Sequence, residues 1–214
     1  MSILITGFEP FGGDSENPSR LSARAAVAIL RAEGHDAHFL EVPCVFTTAF
    51  PTVEAEARRV GAKIVITTGL AARRKAMSLE STAKNIIDAR IPDNAGGQPR
   101  NVPVVPGGPK TLPTRLPIER AAEAIKALDP ADFGMDEQDL RHIPVQISND
   151  AGEYVCNTLM YASLAGLPDD VSVGFVHVPL FRAVGLEEQS IALAIVAKET
   201  LAMRMRNRPS TSRV

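Results

Sequence analysis

Cys156 stands where this chain is best suited to nucleophilic chemistry. The stretch "SNDAGEYVCNTLMYAS", residues 148–163, leads from small, turn-forming residues into an apolar run with helical spacing. This pattern predicts a strand that turns into a helix, with the thiol in the first helical turn. Sites in open α/β sheets gather at such strand ends, and the positive end of a helix dipole lowers the pKa of a thiol there. We therefore expect Cys156 to be an exposed nucleophile that ionises readily.

A buried, inert role is the commoner one for an isolated cysteine, because its side chain behaves as a small hydrophobic group. Cys44, in the apolar stretch "VPCVF", fits that role and is expected in a strand interior. The two cysteines form neither a disulfide framework nor the paired spacing of a zinc site.

A cysteine nucleophile needs a base, which is usually a histidine. His177 lies late in an apolar strand, "VGFVHVPLF", which follows the Cys156 helix. On pattern alone it is either a core residue or a functional one, and its place at the carboxyl end of a strand favours function. His35 and His38 fall in a turn and at the start of an outer strand, and His142 precedes a strand at its amino end.

Glu80 is the candidate for the group that orients the imidazole. It lies in "MSLESTAKN", an extended and mostly uncharged stretch that follows a predicted strand. A solvated glutamate at a sheet edge has the same pattern, so the residues alone leave both interpretations open.

Two aromatic residues, Phe8 and Phe11, lie in "TGFEPFGG", directly after the first predicted strand. They are either core residues or the walls of a site for a flat apolar ligand. Neither this stretch nor "PGGPKT" has the spacing of a phosphate-binding loop, because phenylalanines stand where bare backbone is needed and Pro109 precedes the lysine.

The elements that would position these residues alternate along the chain. Strands are predicted over five segments: 2–6, 37–42, 62–69, 144–148 and 171–178. Helices are predicted over 18–33 with Asn17 as N-cap, 47–60, 118–128 with a stop at Pro130, a segment containing Cys156, and 191–205. Residues 76–90 are predicted to be extended, and the Pro- and Gly-rich residues 98–117 to form a long loop that is a candidate for function.

This alternation indicates α/β architecture: a single three-layer α/β/α domain around a twisted, largely parallel sheet. The continuous β-branched run "AKIVITTG" is typical of a strand covered on both faces. No repeat or linker interrupts the pattern, so residues 1–214 are expected to form one domain with a frayed tail from about residue 207.

Charge and hydropathy limit the classes of partner that this protein is expected to bind. The formal charge of −2 and the pI near 6.1 do not favour a nucleic acid or another polyanion. The first residues lack the basic stretch and the cleavage signal of a secretory segment, so none is expected, and no run approaches the roughly 18 apolar residues that a membrane helix needs. We therefore expect no membrane partner and a cytoplasmic protein whose thiols stay reduced.

Five stretches together resemble the pyroglutamyl peptidase I family, also called pyrrolidone-carboxylate peptidases. They span most of the chain: "TGFEPFGG" with a following "NPS", "DARIPDNAGGQP", "PGGPKTLPTRLP", "SNDAGEYVCN" and "GFVHVP". The resemblance implies a cytosolic cysteine peptidase that removes an N-terminal pyroglutamyl residue from small peptides with a blocked N-terminus.

The same resemblance implies a catalytic triad of Cys156 as nucleophile, His177 as base and Glu80 as acid. The stretch around Glu80 matches more loosely, since relatives often have Arg after the Glu whereas this chain has "ESTAKN". Six further positions match substrate-binding residues: Phe8, Phe11, Asn17, Leu70, Arg90 and Tyr154. Leu70 is expected to contact the ring through its main chain.

The resemblance further implies no cofactor, no metal and a homo-oligomer, with a tetramer as the family's assembly. Two other classes remain alternatives. A nucleoside phosphorylase-like or nucleotide-binding α/β protein would share the layered form, but the phosphate cradle that it needs is not found in the sequence. A non-catalytic thiol-sensing module would explain Cys156 without His177.

Overall fold

The computed structural model describes residues 1–128 and 142–207. Its strands are β1 (Ser2–Phe8), β2 (Ala37–Val42), β3 (Ala62–Leu70), β4 (Met77–Glu80), β5 (Thr82–Lys84), β6 (Thr111–Pro113), β7 (Val145–Ser148) and β8 (Ser172–Val178). Its helices are α1 (Pro18–Ala32), α2 (Ala49–Val60), α3 (Ile118–Lys126), α4 (Val155–Gly166) and α5 (Leu186–Arg206).

Six strands form the central sheet in the order β2-β1-β3-β8-β4-β7. The first four are mutually parallel, β4 runs antiparallel to β8, and β7 is parallel to β4. The predicted, largely parallel sheet is therefore confirmed. The carboxyl ends of β1, β3 and β8 lie at the same end of the sheet, and the loops that follow these strands meet there.

Helices cover both faces of this sheet, as the three-layer prediction requires. Helices α1, α3 and α5 pack on one face, over inward residues such as Ile5, Ile66 and Val176. Helices α2 and α4 pack on the other, over residues such as Val65 and Phe175. Burial on both faces explains why β1, β3 and β8 are nearly continuous apolar runs rather than alternating ones.

Helix α1 begins as predicted. The Asn17 side chain accepts hydrogen bonds from the Ser19 N–H at 3.0 Å and from its hydroxyl at 2.9 Å, which satisfies the start of the helix. Pro18 occupies the first helical position, where its missing N–H has no cost, and Gly34 follows the end with a positive φ of 84°. This capped start fixes the loop between β1 and α1, which carries Phe11.

Two element predictions need correction. Residues 98–117 are not all loop, because Thr111–Pro113 form β6, which pairs antiparallel with β5 in a two-stranded sheet. Helix α3 ends at Lys126, before Leu128. The predicted stop at Pro130 and the predicted frayed tail beyond Asn207 lie outside the described residues.

No helix within residues 1–128 and 142–207 has the length and apolar character needed to cross a membrane.

Candidate active site

Cys156 is the second residue of α4, and its half-buried thiol rests on the end of β3. A β-carbon added at Gly69 would lie 2.8 Å from Cys156 Sγ, so only glycine lets the thiol approach the strand this closely. Gly69 is the register partner of His177 on β8. The thiol of α4 thus lies against β3 at the level of the sheet where the adjacent strand, β8, carries the imidazole.

His177 is hydrogen-bonded to Glu80 deep in the site. The distance from His177 Nδ1 to Glu80 Oε1 is 2.7 Å, and the two residues are 5% and 0% exposed. They meet because β4 runs antiparallel to β8, with Ser78 opposite His177 and Glu80 two residues further along the same face. The structure therefore brings Glu80 into the sheet and does not leave it at a solvated edge.

Arg74 is a partner of Glu80 that the sequence analysis did not single out. Its Nη1 donates to Glu80 Oε1 at 2.5 Å, and its Nη2 donates to the Asp150 carbonyl oxygen at 2.6 Å. The guanidinium thereby ties the loop after β3 to the loop before α4. In the sequence, "ARRK" has the pattern of a solvated charged turn and gives no signal for this contact.

The charges in the site fix the roles of its hydrogen bonds. Burial acts to raise the pKa of Glu80, but His177, Ser148 and Arg74 together outweigh burial and hold that pKa below its usual value. Glu80 is therefore ionised and can only accept, so His177 Nδ1 must donate to it. Burial lowers the pKa of His177, with Glu80 opposing the shift. The imidazole is therefore neutral near pH 7, with Nε2 available as a base.

The pKa of Cys156 contradicts the sequence prediction. Burial raises the pKa of the thiol, Cys44 and Glu80 add to that rise, and Arg74 opposes it. The expectation of a readily ionised thiol was wrong because desolvation outweighs the helix dipole at this position. From these two directions we expect a neutral thiol and a neutral imidazole in the resting enzyme.

An apolar cavity of about 360 Å³ opens next to Cys156. Phe8, Phe11 and Tyr154 all line it, so these three aromatic residues do share one site. The rings of Phe11 and Tyr154 lie 5.4 Å apart, and the Tyr154 hydroxyl donates to the Pro92 carbonyl at 2.9 Å. These two contacts fix the position of the Tyr154 ring in the wall of the cavity.

Cys44 also lines this cavity, which corrects its predicted location. Strand β2 ends at Val42, and Cys44 lies in the following loop, buried and with a pKa raised to about 12 by burial and by Glu9 and Asp93. The thiol therefore stays protonated near pH 7, and its inert role remains a prediction.

Two residues of this region were not predicted from the sequence. Phe46 packs edge-on against Tyr154 at 5.2 Å, and Ile91 lines the cavity although it is 51% exposed. Single exposed hydrophobic residues are common on protein surfaces, so neither the sequence pattern nor the exposure of Ile91 could have identified it.

Of the other expected binding residues, Asn17 and Leu70 line the apolar cavity and Arg90 does not. The Asn17 amide is engaged in capping α1 and donates to the Glu9 carbonyl at 3.0 Å, so its main effect is on the shape of the wall. Arg90 is exposed and lines a neighbouring hollow of about 750 Å³. Any contact it makes would be with the part of a ligand outside the apolar cavity.

Fold and side chains together place the protein among the cysteine-type hydrolases. A thiol nucleophile of that class works with a histidine base that a third group orients, and sites of open α/β sheets lie at strand ends. Here His177 and Glu80 are hydrogen-bonded near the ends of β8 and β4, and Cys156 lies against Gly69, the register partner of His177, beside a cavity sized for a small apolar group.

Comparison with known proteins gives the family. Residues 1–205 match the family model of pyroglutamyl peptidases, and this chain belongs to that family.

Relatives and solved structures agree over most of the chain. A pyrrolidone-carboxylate peptidase of Pyrococcus furiosus is 38% identical over 184 residues, which is 84% of this chain and 81% of that protein. Pyrrolidone-carboxylate peptidase 1 of Caldanaerobacter subterraneus subsp. tengcongensis is 36% identical over 88% of this chain and 87% of its own length. The crystal structure of Bacillus amyloliquefaciens pyroglutamyl peptidase I is similar with a TM-score of 0.79 at 30% identity, covering 94% of this chain and 97% of that one.

Proposed function

We propose that Cys156, His177 and Glu80 carry out the activity of the family to which this chain belongs, removal of an N-terminal pyroglutamyl residue from a peptide. The observation that carries the proposal is the hydrogen bond of 2.7 Å between His177 and Glu80. It lies next to the end of β3, against which the Cys156 thiol packs. Family membership over residues 1–205 supports the substrate class.

The neutral resting pair determines how attack begins. Cys156 Sγ forms a bond to the carbonyl carbon that links pyroglutamate to the next residue, while the thiol proton passes to His177 Nε2. Glu80, kept ionised, stabilises the imidazolium that forms. The C–N bond then breaks, and His177 returns its proton to the departing amine. Water hydrolyses the remaining thioester, which releases pyroglutamate and restores the thiol.

Backbone N–H groups at the start of α4 are placed to stabilise the negative oxygen of the tetrahedral intermediate. The N-cap residue Tyr154 makes no side-chain capping bond, so the first-turn donors are not consumed by a cap. In related chemistry one such donor contributes roughly 3–4 kcal/mol to transition-state stabilisation.

The apolar cavity suits the lactam ring. Phe8, Phe11 and Tyr154 offer flat faces to a neutral five-membered ring, and the main chain at Leu70, at the end of β3, supplies polar atoms for the lactam amide. Asn17 shapes the wall from the start of α1.

Small peptides with a blocked N-terminus are the proposed partners, and the cytoplasm is the proposed compartment. Both cysteines are free thiols, which agrees with a reducing compartment. Assembly as a homo-oligomer, with a tetramer as the first expectation, is part of the same proposal and is tested by light scattering of the purified chain.

The proposed activity is tested by incubating the protein with a pyroglutamyl chromogenic amide and, separately, with a nucleoside and phosphate. Hydrolysis of the amide alone is expected. Phosphorolysis of the nucleoside without amide hydrolysis would instead support the nucleoside phosphorylase-like alternative, and no reaction with either would favour a thiol-sensing module.

A further inference from the structure

Four cationic side chains beside the apolar cavity form a group that we name the cationic rim: Arg73, Lys75, Arg90 and Arg182. All four are exposed. None has a hydrogen bond or an ion pair to another part of the described chain, residues 1–128 and 142–207. Arg74, which lies between the first two, differs because it binds Glu80.

The first pair of the rim lines the hollow of about 750 Å³ that adjoins the apolar cavity. Arg73 and Arg90 are both in its lining, and Ile91 and Tyr154 are common to the hollow and the apolar cavity. The hollow therefore adjoins the place where the first residue of a bound peptide would lie.

Carboxylates in the same hollow already have partners. They are in ion pairs: Asp88 with Arg100, and Asp150 and Glu153 with the single cation Lys84. Two cations thus balance two of the three carboxylates, and Arg73 and Arg90 together exceed the remaining one, which leaves the hollow with a net positive charge.

The other two members of the cationic rim, Lys75 and Arg182, line a second hollow of about 520 Å³, and Arg73 lines this hollow as well. Its lining within the described residues contains no carboxylate. The loops that form it follow β3 and β8 and are joined by the hydrogen bond from the Ala71 N–H to the Val178 carbonyl at 2.9 Å.

The position of His177 sets the direction in which the leaving segment departs. The amine that His177 protonates must lie next to β8, so the chain beyond it starts over the loops that follow β3 and β8. The acidic side chains at the cavity, Asp14 and Glu16, are on the loop after β1, and β3 separates β1 from β8 in the sheet. The leaving segment therefore meets the cations and not these acids.

We propose that the cationic rim binds a carboxylate of the leaving segment and that the enzyme prefers pyroglutamyl peptides whose second residue is acidic. This inference rests on the proposed function, because it concerns the same reaction. Each exposed charge pair contributes little and is screened by salt, so the preference should be moderate and dependent on ionic strength.

The test compares two amidated dipeptides that differ only in charge: pyroglutamyl-glutamic acid α-amide and pyroglutamyl-glutamine α-amide. Release of the free amino-acid amide is followed by chromatography, and kcat/KM is measured for each. We expect the acidic substrate to be preferred about three- to tenfold at an ionic strength of about 0.01 M. At about 1 M salt, where the Debye length is about 3 Å, the ratio should approach one.

Variants connect the preference to the rim. Arg73 lines both hollows, so Arg73→Gln should lower the ratio toward one, and Arg73→Lys, which keeps the charge, should retain it. Lys126→Gln is the matched control, because it removes an exposed cation at the end of α3, away from the site. That variant should keep both the activity and the ratio of the wild type.

The outcomes separate this inference from the proposed function. If the wild type hydrolyses both dipeptides with equal kcat/KM at low salt, or if Arg73→Gln leaves the ratio unchanged, the cationic rim does not select the leaving segment. If the wild type hydrolyses neither dipeptide nor the chromogenic amide, the proposed function itself fails.

Discussion

At the scale of single residues, the chemistry of the site depends on which of Glu80, His177 and Cys156 carry a charge. Glu80 stays ionised because His177 and Arg74 stabilise its charge, whereas burial keeps Cys156 and His177 neutral. We therefore expect the thiolate–imidazolium ion pair to form during attack and not to be present in the resting enzyme.

Substitution of the base and of its orienting acid should have unequal effects. His177→Ala removes the proton acceptor, so kcat should fall on the order of 10²–10⁴-fold. Glu80→Gln should lose less, because the amide oxygen can still accept from Nδ1, although Arg74 then lacks its counter-ion. Steady-state kinetics with a pyroglutamyl amide measure both. A Glu80→Gln enzyme with the wild-type kcat would show that the orienting acid lies elsewhere.

The neutral resting pair predicts a particular pH dependence. A His177 pKa below the ordinary value of about 6.5 keeps the base form at lower pH, so the acid limb of kcat/KM should lie below pH 6.5. A raised thiol pKa means that no thiolate should be seen at pH 7. The ultraviolet thiolate absorbance of the wild type minus that of Cys156→Ser measures this directly, and a thiolate present at neutral pH would contradict the account.

Residue roles were predictable from sequence where position on an element carried the signal. Cys156 and His177 were found because each stands at the carboxyl end of a predicted strand or the start of a helix. Arg74 was missed because its contact with Glu80 depends on the antiparallel direction of β4, which no local pattern encodes. The pKa of Cys156 was mispredicted for a similar reason, since desolvation depends on the whole fold.

At the scale of elements, the close packing of α4 on β3 positions the nucleophile. An added β-carbon at Gly69 would lie 2.8 Å from Cys156 Sγ and 2.8 Å from Phe175 Cζ, too close for either atom to stay in place. The glycine therefore sets how near the thiol comes to His177.

Gly69→Ala should thus lower activity without changing any reacting group. Displacement of the thiol by a few tenths of an ångström to about 1 Å can cost on the order of 100-fold in rate. Gly34→Ala is a suitable control for backbone effects of glycine, because Gly34 follows α1 outside the cavity lining and a β-carbon there meets no atom within 4 Å, although its positive φ of 84° adds some strain. A Gly69→Ala enzyme with the wild-type kcat and thermal stability would show that this contact does not position the thiol.

Most elements could be predicted from sequence because their signals are local. Helix α1 has its cap, its Pro18 and its Gly34, and β3 has a continuous β-branched run. The short strands β5 and β6 were not predicted, because each has only three residues and is stabilised by pairing with the other across a long separation.

At the scale of the whole molecule, the sheet edge, the aromatic wall and the triad combine to set specificity. Proline has the ring size of pyroglutamate but carries a charged amine, and burying that amine among Phe8, Phe11 and Tyr154 removes its hydration. The carboxylates that also line the cavity, Asp14 and Glu16, are exposed to solvent and so compensate only in part. A prolyl ring also lacks the lactam carbonyl, which leaves a backbone donor near Leu70 unpaired at a cost of roughly 1–3 kcal/mol.

Selection for the pyroglutamyl group should therefore be strong. A cost of about 1.4 kcal/mol already corresponds to a factor of ten, and desolvation of the charge adds to it. N-terminal glutamine, which is open-chain and charged, should also be rejected. Comparison of kcat/KM for pyroglutamyl, prolyl and glutaminyl amides tests this, and similar values for the three would mean that the aromatic residues are only core packing.

The central claim is that Cys156 attacks the pyroglutamyl carbonyl, and trapping of the acyl-enzyme tests it most directly. Wild type, Cys156→Ser and Cys44→Ser are mixed with excess pyroglutamyl ester, quenched in acid within the first turnover, digested and examined by mass spectrometry. We predict one pyroglutamyl group on the peptide that contains Cys156 in the wild type and in Cys44→Ser, and none in Cys156→Ser, which should also have lost nearly all hydrolysis. A pyroglutamyl group on the peptide that contains Cys44, or full hydrolysis by Cys156→Ser, would contradict the account.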